Sequence, residues 1–478
     1  MTSVTTAEAG RDPGAGVFTR ERRPLTVGIL LAITAFAAEG MGVVPALPVA
    51  VRELGGLSLF GWAFSAFMLA WLVGTVGSGL WSDARGPRWP MAVGLSAFAG
   101  GLLFAGLSRS MIWFLAGRVL QGAGGGGIIA SAYVAIARGY PDELRARIMA
   151  LTASVWILPA VAGPALSGAI TQWLGWRYVF VGILPLLCVT AFVVLPPLAR
   201  FDIRVPPASA RPMVAALRVA AGSGLLLAAP GVRSRGWVAL VALLAAGLAL
   251  LVPALLDILP PGTIRARRGL PAGMAVRGLL GFGFFGTEAF IPLGMAELRG
   301  ATPTEAGLAL SAGAFGWIAA SWIQDRIESR GGAGGRADRV RGGLLLIALA
   351  IALVAAGLLT QLSTLLVPLG WLFAGAGMGA AYNAVGLLCI AAAPPGKEGE
   401  VSGQLQVVEA LGTAAGAGVG GLLIARLAEV GRGQREAHAA VFFVTLSAVL
   451  VGLSIARRTS NDAPVLSARP NGLPTGGP

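Results

Sequence analysis

Long apolar runs alternate with short polar breaks along nearly the whole chain, and their length sets the first expectation. Runs lie near 26–50, 60–81, 90–108, 112–137, 146–171 and 176–198, then 213–230 and 236–257, then 271–296, 304–324, 342–361, 365–393, 401–425 and 438–456. A helix that crosses a bilayer needs about 20 apolar residues, so the pattern predicts fourteen spanning helices. The breaks are rich in Arg, Gly and Pro. The longest are a basic, Pro-rich linker from Arg200 to Pro212 and a second basic linker with Arg265, Arg267 and Arg268. The middle pair of runs is the weakest part of the pattern, since the first is short and contains Arg218.

Four echoes reveal an internal repeat. Phe36-Ala37-Ala38-Glu39 matches Phe285-Gly286-Thr287-Glu288, and Trp113 to Gly117 matches Trp371 to Gly375. The spacing from Gly74 to Asp83 equals that from Gly316 to Asp325, and the spacing from Gly163 to Gly168 equals that from Gly416 to Gly421. They fall in one order in both halves, which predicts two parallel six-span halves related by an axis along the membrane normal. Parallel halves require the insert between them to cross an even number of times, and two crossings house its apolar residues. The expected organisation is a segment at 1–25, a six-helix bundle over 26–200, a linker with two inserted helices over 201–270, a second bundle over 271–458, and a disordered tail over 459–478. The expected fold class is an all-α polytopic membrane protein: two six-helix bundles in pseudo-twofold parallel repeat plus two inserted helices.

Composition narrows the function. The hydrophobic share is 56% and the charged share 12%, against about a quarter charged in soluble domains. A water-soluble enzyme and a disordered chain are thereby excluded. The net charge is +14, and Lys397 is the only lysine among 36 basic residues. These arginines lie in loops between apolar runs, mostly on the side of the N-terminus. That is the positive-inside pattern rather than a nucleic-acid footprint. Both termini are expected in the cytoplasm, in a cell membrane, with an uncleaved first span. With one histidine, His438, and two cysteines, Cys188 and Cys389, in separate runs, no metal site is expected, nor any cofactor. No cluster of catalytic groups supports a membrane enzyme or receptor.

Ionisable groups inside spans cost at least about 2.5–3.5 kcal/mol at a helix centre, so each asks for a reason. Glu39, Arg118, Glu288 and Glu409 are the clear cases. Glu288 is the repeat partner of Glu39; Glu409 stands where the first half has Trp156; and Ala376 takes the place of Arg118. A carboxyl in a low-dielectric cleft holds its proton more tightly, and a nearby cation such as Arg118 favours its charged form. Such groups suit proton coupling; the bland reading is a buried glutamate bridging helices. Gln121, Trp156, Tyr382 and Asn383 join the acids as expected cavity residues, though Tyr382 and Asn383 serve equally well as bridges between helices. Asp83, Gly86 and Arg88 in the turn after the second run, with Asp325 as echo, are candidate gate residues. Gly163-Pro164 predicts a kink or flexible point. The run Gly124–Gly127 has no Gly-Lys-Ser/Thr after it and reads as close helix packing, not a phosphate loop.

These residues resemble the major facilitator superfamily, and within it the drug–proton antiporters with fourteen spans. Gly79, Asp83, Gly86 and Arg88 fit the pattern G-x-L-x-D-R-x-G-R-R, from which Trp81, Ala84 and Pro87 depart. Arg118, Gln121, Gly122 and Gly124 fit R-x-x-Q-G-x-G. Gly163, Pro164 and Gly168 fit the antiporter pattern G-P-x-x-G-G, with Ser167 for one glycine. Trp176-Arg177 followed by Phe180 is similar to the family's W-R-W-x-F stretch before span 6. Glu39 stands seven residues before Ala46-Leu47-Pro48, where the family has Asp. The resemblance is strongest over 26–200. It implies alternating access, a central cavity and proton-driven export. The expected cargo is a small hydrophobic compound, neutral or cationic, since three cavity acids face one arginine. The expected partners are protons and the lipid bilayer, and the expected state is a monomer. A lipid or metabolite carrier on the same scaffold, by antiport or symport, is the alternative.

Overall fold

The computed structural model describes residues 16–202, 209–231, 236–330 and 335–459. The expected tail and the centre of the Arg200–Pro212 linker lie largely outside these residues, whereas the second basic linker lies within them. Among the described residues, fourteen helices are long and apolar enough to span. Span 1 is Arg23–Leu54, span 2 Leu57–Arg85, span 3 Arg88–Gly106, span 4 Met111–Gly139, span 5 Asp142–Trp173 and span 6 Arg177–Phe201. Spans 7 and 8 are Arg211–Gly231 and Trp237–Ile258. Spans 9 to 14 are Leu270–Arg299, Pro303–Ser329, Arg336–Leu359, Leu366–Ala391, Glu398–Glu429 and Gln434–Ala456. Every boundary falls within six residues of the sequence expectation. The largest shift is at span 11, which starts six residues early. Spans 10 and 11 carry Asp325, Glu328, Arg336 and Arg339 on helical turns that outrun the apolar stretch, because charged ends of a helix can leave the hydrocarbon for water.

Local chemistry starts and stops these helices. Thr302 caps span 10: its Oγ1 accepts from the Glu305 N–H at 3.3 Å, and Glu305 Oε2 accepts from the Thr302 N–H at 2.7 Å. With Pro303 at the first position, this is a capping box, and the cap stabilises the helix by about 1 kcal/mol. Gly86 ends span 2 at φ +87°, a conformation costly for any residue with a Cβ, and a Cβ there would also lie 2.5 Å from the Phe201 carbonyl oxygen.

Two hydrophobic cores form among the described residues, one centred on spans 1–6 but reaching Phe290, Leu293, Ala417 and Ile424 of the other half, and one centred on spans 9–14 with Val44 of span 1. Within each, small residues let backbones touch. The Gly124–Gly127 run in span 4 faces a different neighbour at each position: Phe98, Phe36, Trp71 with Thr75, and Ser78 with Gly94. A Cβ would strike backbone at Gly124 and Gly126 and the Phe36 ring at Gly125, and would be tight at Gly127. Span 12 repeats the device, with Gly375 against Gly313, Gly377 against Gly343 and Gly379 against Trp317.

The halves meet at the face opposite the N-terminal end of span 1. There Gly168 abuts the Pro303 carbonyl, Gly307 abuts the Pro164 carbonyl, and Gly61 abuts Ala417 and Gly421. Ser65 Oγ donates to the Ala414 carbonyl at 2.7 Å, Thr304 Oγ1 donates to Gln172 Oε1 at 2.6 Å, and the Phe60 and Phe290 rings lie 5.3 Å apart. Spans 7 and 8 pack on each other, and Leu72 of span 2, Val219, Ala254 and span 13's Val407 and Leu411 form a third small cluster. Gln404 Nε2 also donates to the Ile258 carbonyl at 2.8 Å. The inserted pair therefore lies over the seam between spans 2 and 13.

Span 5 is built of two helices. The helix runs unbroken from Ile157 to Trp173 through Pro164. Proline withholds only the bond to the Ala160 carbonyl. The interruption lies earlier, at Val155-Trp156, between Asp142–Ser154 and Ile157–Trp173. There the Trp156 ring turns edge-on to Phe36, 5.9 Å between centroids.

Candidate functional site

A cavity of about 990 Å³ lies between the halves. Its deepest walls are Phe64, Pro164, Leu310 and Ala417. From there it runs to Asp325, Glu328, Arg336, Ile390 and Ser402, which lie toward the helix ends on the same face as the start of span 1. Glycine-tight contacts close the opposite face. The cavity is thus open on the N-terminal face only.

Arg118 of span 4 organises the first half's polar cluster. Its Nη1 donates to Glu39 Oε1, in an ion pair, and to Gln121 Oε1 at 2.5 Å. Its Nε donates to the Ala63 carbonyl at 2.9 Å, and its guanidinium lies 4.3 Å from the Phe67 ring centroid. Arg118 lines the cavity, but Glu39 and Gln121 do not; both are fully buried behind it. Glu39 Oε2 and Gln121 Nε2 have no hydrogen-bond partner among the described residues. The expectation that Glu39 and Gln121 line the cavity is therefore corrected: the guanidinium is the layer that meets it, because Arg118 reaches across from span 4 and lies between.

The second half holds a cluster of which the sequence reading named Glu409 and Tyr382 but missed Arg277. Arg277 of span 9 donates from Nε and Nη2 to Glu409 Oε2 at 3.1 and 2.9 Å, and from Nη1 to the Tyr382 carbonyl at 2.9 Å. The Tyr382 hydroxyl donates to Glu409 at 3.0 Å, and its ring lies 3.1 Å from the guanidinium carbon. Arg277 is 7% exposed. The intramembrane cost that marked Arg118 marks it too, since it lies inside the apolar run at 271–296, but the sequence reading did not single it out. The cavity therefore has two deep arginines rather than one, and the charge balance must be redrawn. Arg118 is paired with Glu39, Arg277 with Glu409, and Arg336 with Glu328 at 2.8 Å. Among the charged residues lining the cavity, Glu288 and Asp325 are left with no ion pair to a described residue.

Glu288 sits three residues past a π-helical turn at Gly281–Phe285. Such turns re-aim the residues that follow and recur at functional sites. The turn packs on span 13, with Gly281 against the Glu409 backbone and Gly286 against Gly416. Asn383 Nδ2 donates to Ser321 Oγ at 3.3 Å, so Tyr382 and Asn383 both bridge helices while lining the cavity. Trp156, Glu288, Glu409 and Asp325 also line it, as do Pro164 and Tyr133, the last not singled out from sequence.

The remaining gate candidates lie apart, on the N-terminal face of the first half. Arg138, at the end of span 4, stands 3.9 Å from Asp83 Oδ1 and donates to the Asp83 carbonyl at 3.2 Å. Arg88 stands 3.7 Å from Asp202, at the end of span 6. Gly163 packs toward Met41 and does not line the cavity.

A model of the Major Facilitator Superfamily matches residues 25–417. The uncharacterized MFS-type transporter Rv1877 of Mycobacterium tuberculosis is 30% identical over 64% of this chain and 46% of that protein. Multidrug resistance protein 3 of Bacillus subtilis is 29% identical over 36% of this chain and 33% of that protein. The chain spans less than half the length of the curated relatives it matches. Among solved structures, a bacterial homologue of the human lysosomal transporter Spinster, inward-facing and unoccupied, has a TM-score of 0.64 at 17% identity, covering 92% of this chain and 98% of that one. A match of that length, on a fold of two paired six-helix bundles around a central cavity, makes this chain a member of the Major Facilitator Superfamily.

Proposed function

We propose that the protein is a proton-coupled exporter of hydrophobic neutral or cationic compounds, working by alternating access with both termini in the cytoplasm. Glu288 carries this reading: it is an acid at the wall of a one-sided cavity, without a cation among the described residues to hold its charge. An unpaired carboxyl at membrane depth is costly as an anion. It is satisfied either by a proton or by a cationic cargo, and these two occupants compete. That competition is the physical content of antiport. The aromatic lining, with Phe36, Phe67, Trp156, Phe285 and Tyr382, supplies an apolar bed for the rest of the cargo and a favourable face for a cation.

The open face is the loading side in this scheme. The two paired clusters, Glu39 with Arg118 and Glu409 with Arg277, are each close to neutral and serve as fixed posts, so that Glu288 alone changes charge at depth. Closing the open face and parting the Gly168–Pro303 and Gly61–Gly421 contacts would present Glu288 to the other side. The Asp83–Arg138 pair acts as a latch component on the loading side. The kinship with a protein named for multidrug resistance agrees with export, and the arginine-rich loops agree with a cytoplasmic loading face.

The test is transport of a lipophilic cationic dye in proteoliposomes under an imposed pH gradient. Gradient-driven accumulation by the parent protein, abolished in Glu288→Gln, is the expected result. Dye movement indifferent to the gradient, or unchanged in the variant, would defeat the coupling.

A further inference from the structure

A second cavity, of about 360 Å³, lies outside the transport path, where span 8 ends and the linker to span 9 begins. One wall is apolar: Leu255, Leu256 and Leu259 of the last turns of span 8, with Pro260 and Pro261. The other is the linker, which brings Thr263, Ile264, Arg265 and Arg267 to the rim. No acidic side chain lines it; Asp257, exposed on span 8, is the nearest carboxylate in sequence.

The linker is a built turn. Gly262 and Gly269 adopt φ +94° and +82°, and Ala266, between them, is held at φ +45°, a conformation that side chains with a Cβ rarely adopt. The surroundings fix it there. The Gly262 carbonyl accepts from the N–H groups of Arg265 and Arg267. The Arg458 carbonyl accepts from the Gly269 N–H at 2.8 Å, and its guanidinium donates to the Ala266 carbonyl at 3.4 Å. So Arg265 and Arg267 are presented from a braced scaffold, with exposed guanidinium groups.

Two apolar residues at the rim are uncovered: Leu256 is 62% exposed and Ile264 66%. At the end of a spanning helix, such residues face the edge of the bilayer rather than bulk water. An opening with an aliphatic wall toward the membrane and two cations toward the aqueous side matches one chemistry, a phosphate diester with a fatty chain attached.

We propose that this cavity is a binding site for an anionic phospholipid. Arg265 and Arg267 hold the headgroup phosphate, and a chain lies along Leu255, Leu256 and Leu259. The shared chemistry, a phosphate anion, could come from a free phosphate. The aliphatic wall and the exposed Leu256 and Ile264 favour the lipid. A bound headgroup would pin the linker that joins the inserted pair to the second bundle.

The test is native mass spectrometry of the full-length protein in detergent, titrated with phosphatidylglycerol, phosphatidylcholine or inorganic phosphate. Phosphatidylglycerol should be retained in preference to phosphatidylcholine. Arg265→Gln combined with Arg267→Gln should weaken its binding about thirtyfold, equivalent to about 1 kcal/mol per basic group at an anionic surface. Arg268→Gln, on an exposed residue outside the cavity, should leave it unchanged and control for folding. Equal retention of the two lipids, or a double variant binding phosphatidylglycerol as the parent does, overturns the proposal. Displacement of phosphatidylglycerol by millimolar inorganic phosphate overturns the lipid assignment in favour of a free-anion site.

Discussion

Glu409 and Arg277 share one carboxylate oxygen between two guanidinium nitrogens, and removing either partner leaves the other charged and largely out of water. Glu409→Gln should therefore destabilise the protein by about 3 kcal/mol, as broken buried pairs do, read as a loss of unfolding midpoint in detergent. Adding Arg277→Met should recover most of that loss, because an apolar residue has no charge to strand. If the double variant is no more stable than Glu409→Gln alone, the pair is not the structural post described above. Glu288→Gln is expected to behave oppositely, with stability unchanged or raised while gradient-driven transport is lost. Nothing pairs with Glu288 among the described residues, so its neutral isostere removes a cost. Four of the five deep charges were legible from sequence by depth in an apolar run. Arg277 obeys the same rule, but its pairing to span 13 joins residues 132 apart and left no local trace.

At the scale of the element, the helices' lengths follow from the bilayer and their contacts follow from glycine. Fourteen spans could be counted from sequence because each hydrocarbon crossing demands its own apolar run. Which glycines face which backbone could not, since that depends on the rotation of each helix. Gly168 and Gly307 show what this means for the cycle. Each presses on a carbonyl of the other half, so the face opposite the cavity's opening closes only while both lack a side chain. Gly168→Leu should hold that face open. A cysteine placed at Ala417 should then react faster with a membrane-impermeant maleimide from that side; unchanged labelling would contradict the packing. Thr302→Ala, which removes the cap of span 10, should cost about 1 kcal/mol, measured as a lower unfolding midpoint. The break at Val155-Trp156 is the same lesson at shorter range. A proline marks where a helix is weakened, and the packing of Trp156 on Phe36 marks where it turns.

For the molecule as a whole, the seam between the halves governs access to the cavity. Gln172 and Thr304 are in hydrogen-bond contact across it at 2.6 Å. With Cys188 and Cys389 replaced by alanine, Gln172→Cys together with Thr304→Cys should form a disulfide that traps the one-sided state. Transport should stop under oxidation and return with reductant. Undiminished transport with the bridge formed would mean that this seam does not part during the cycle.

Sequence alone determined the spans, their parallel repeat, the even-numbered insert and most of the charged residues at depth. Each of these follows from a rule that acts along the chain: a slab of fixed thickness, a period, a parity, a cost per buried charge. Tertiary structure alone decided which charges are paired, which face of the membrane the cavity meets, and that Arg118 stands between Glu39 and the cavity. Those depend on helix rotation and on contacts between residues far apart in sequence, and hydropathy carries no information about rotation when a helix is apolar on every side.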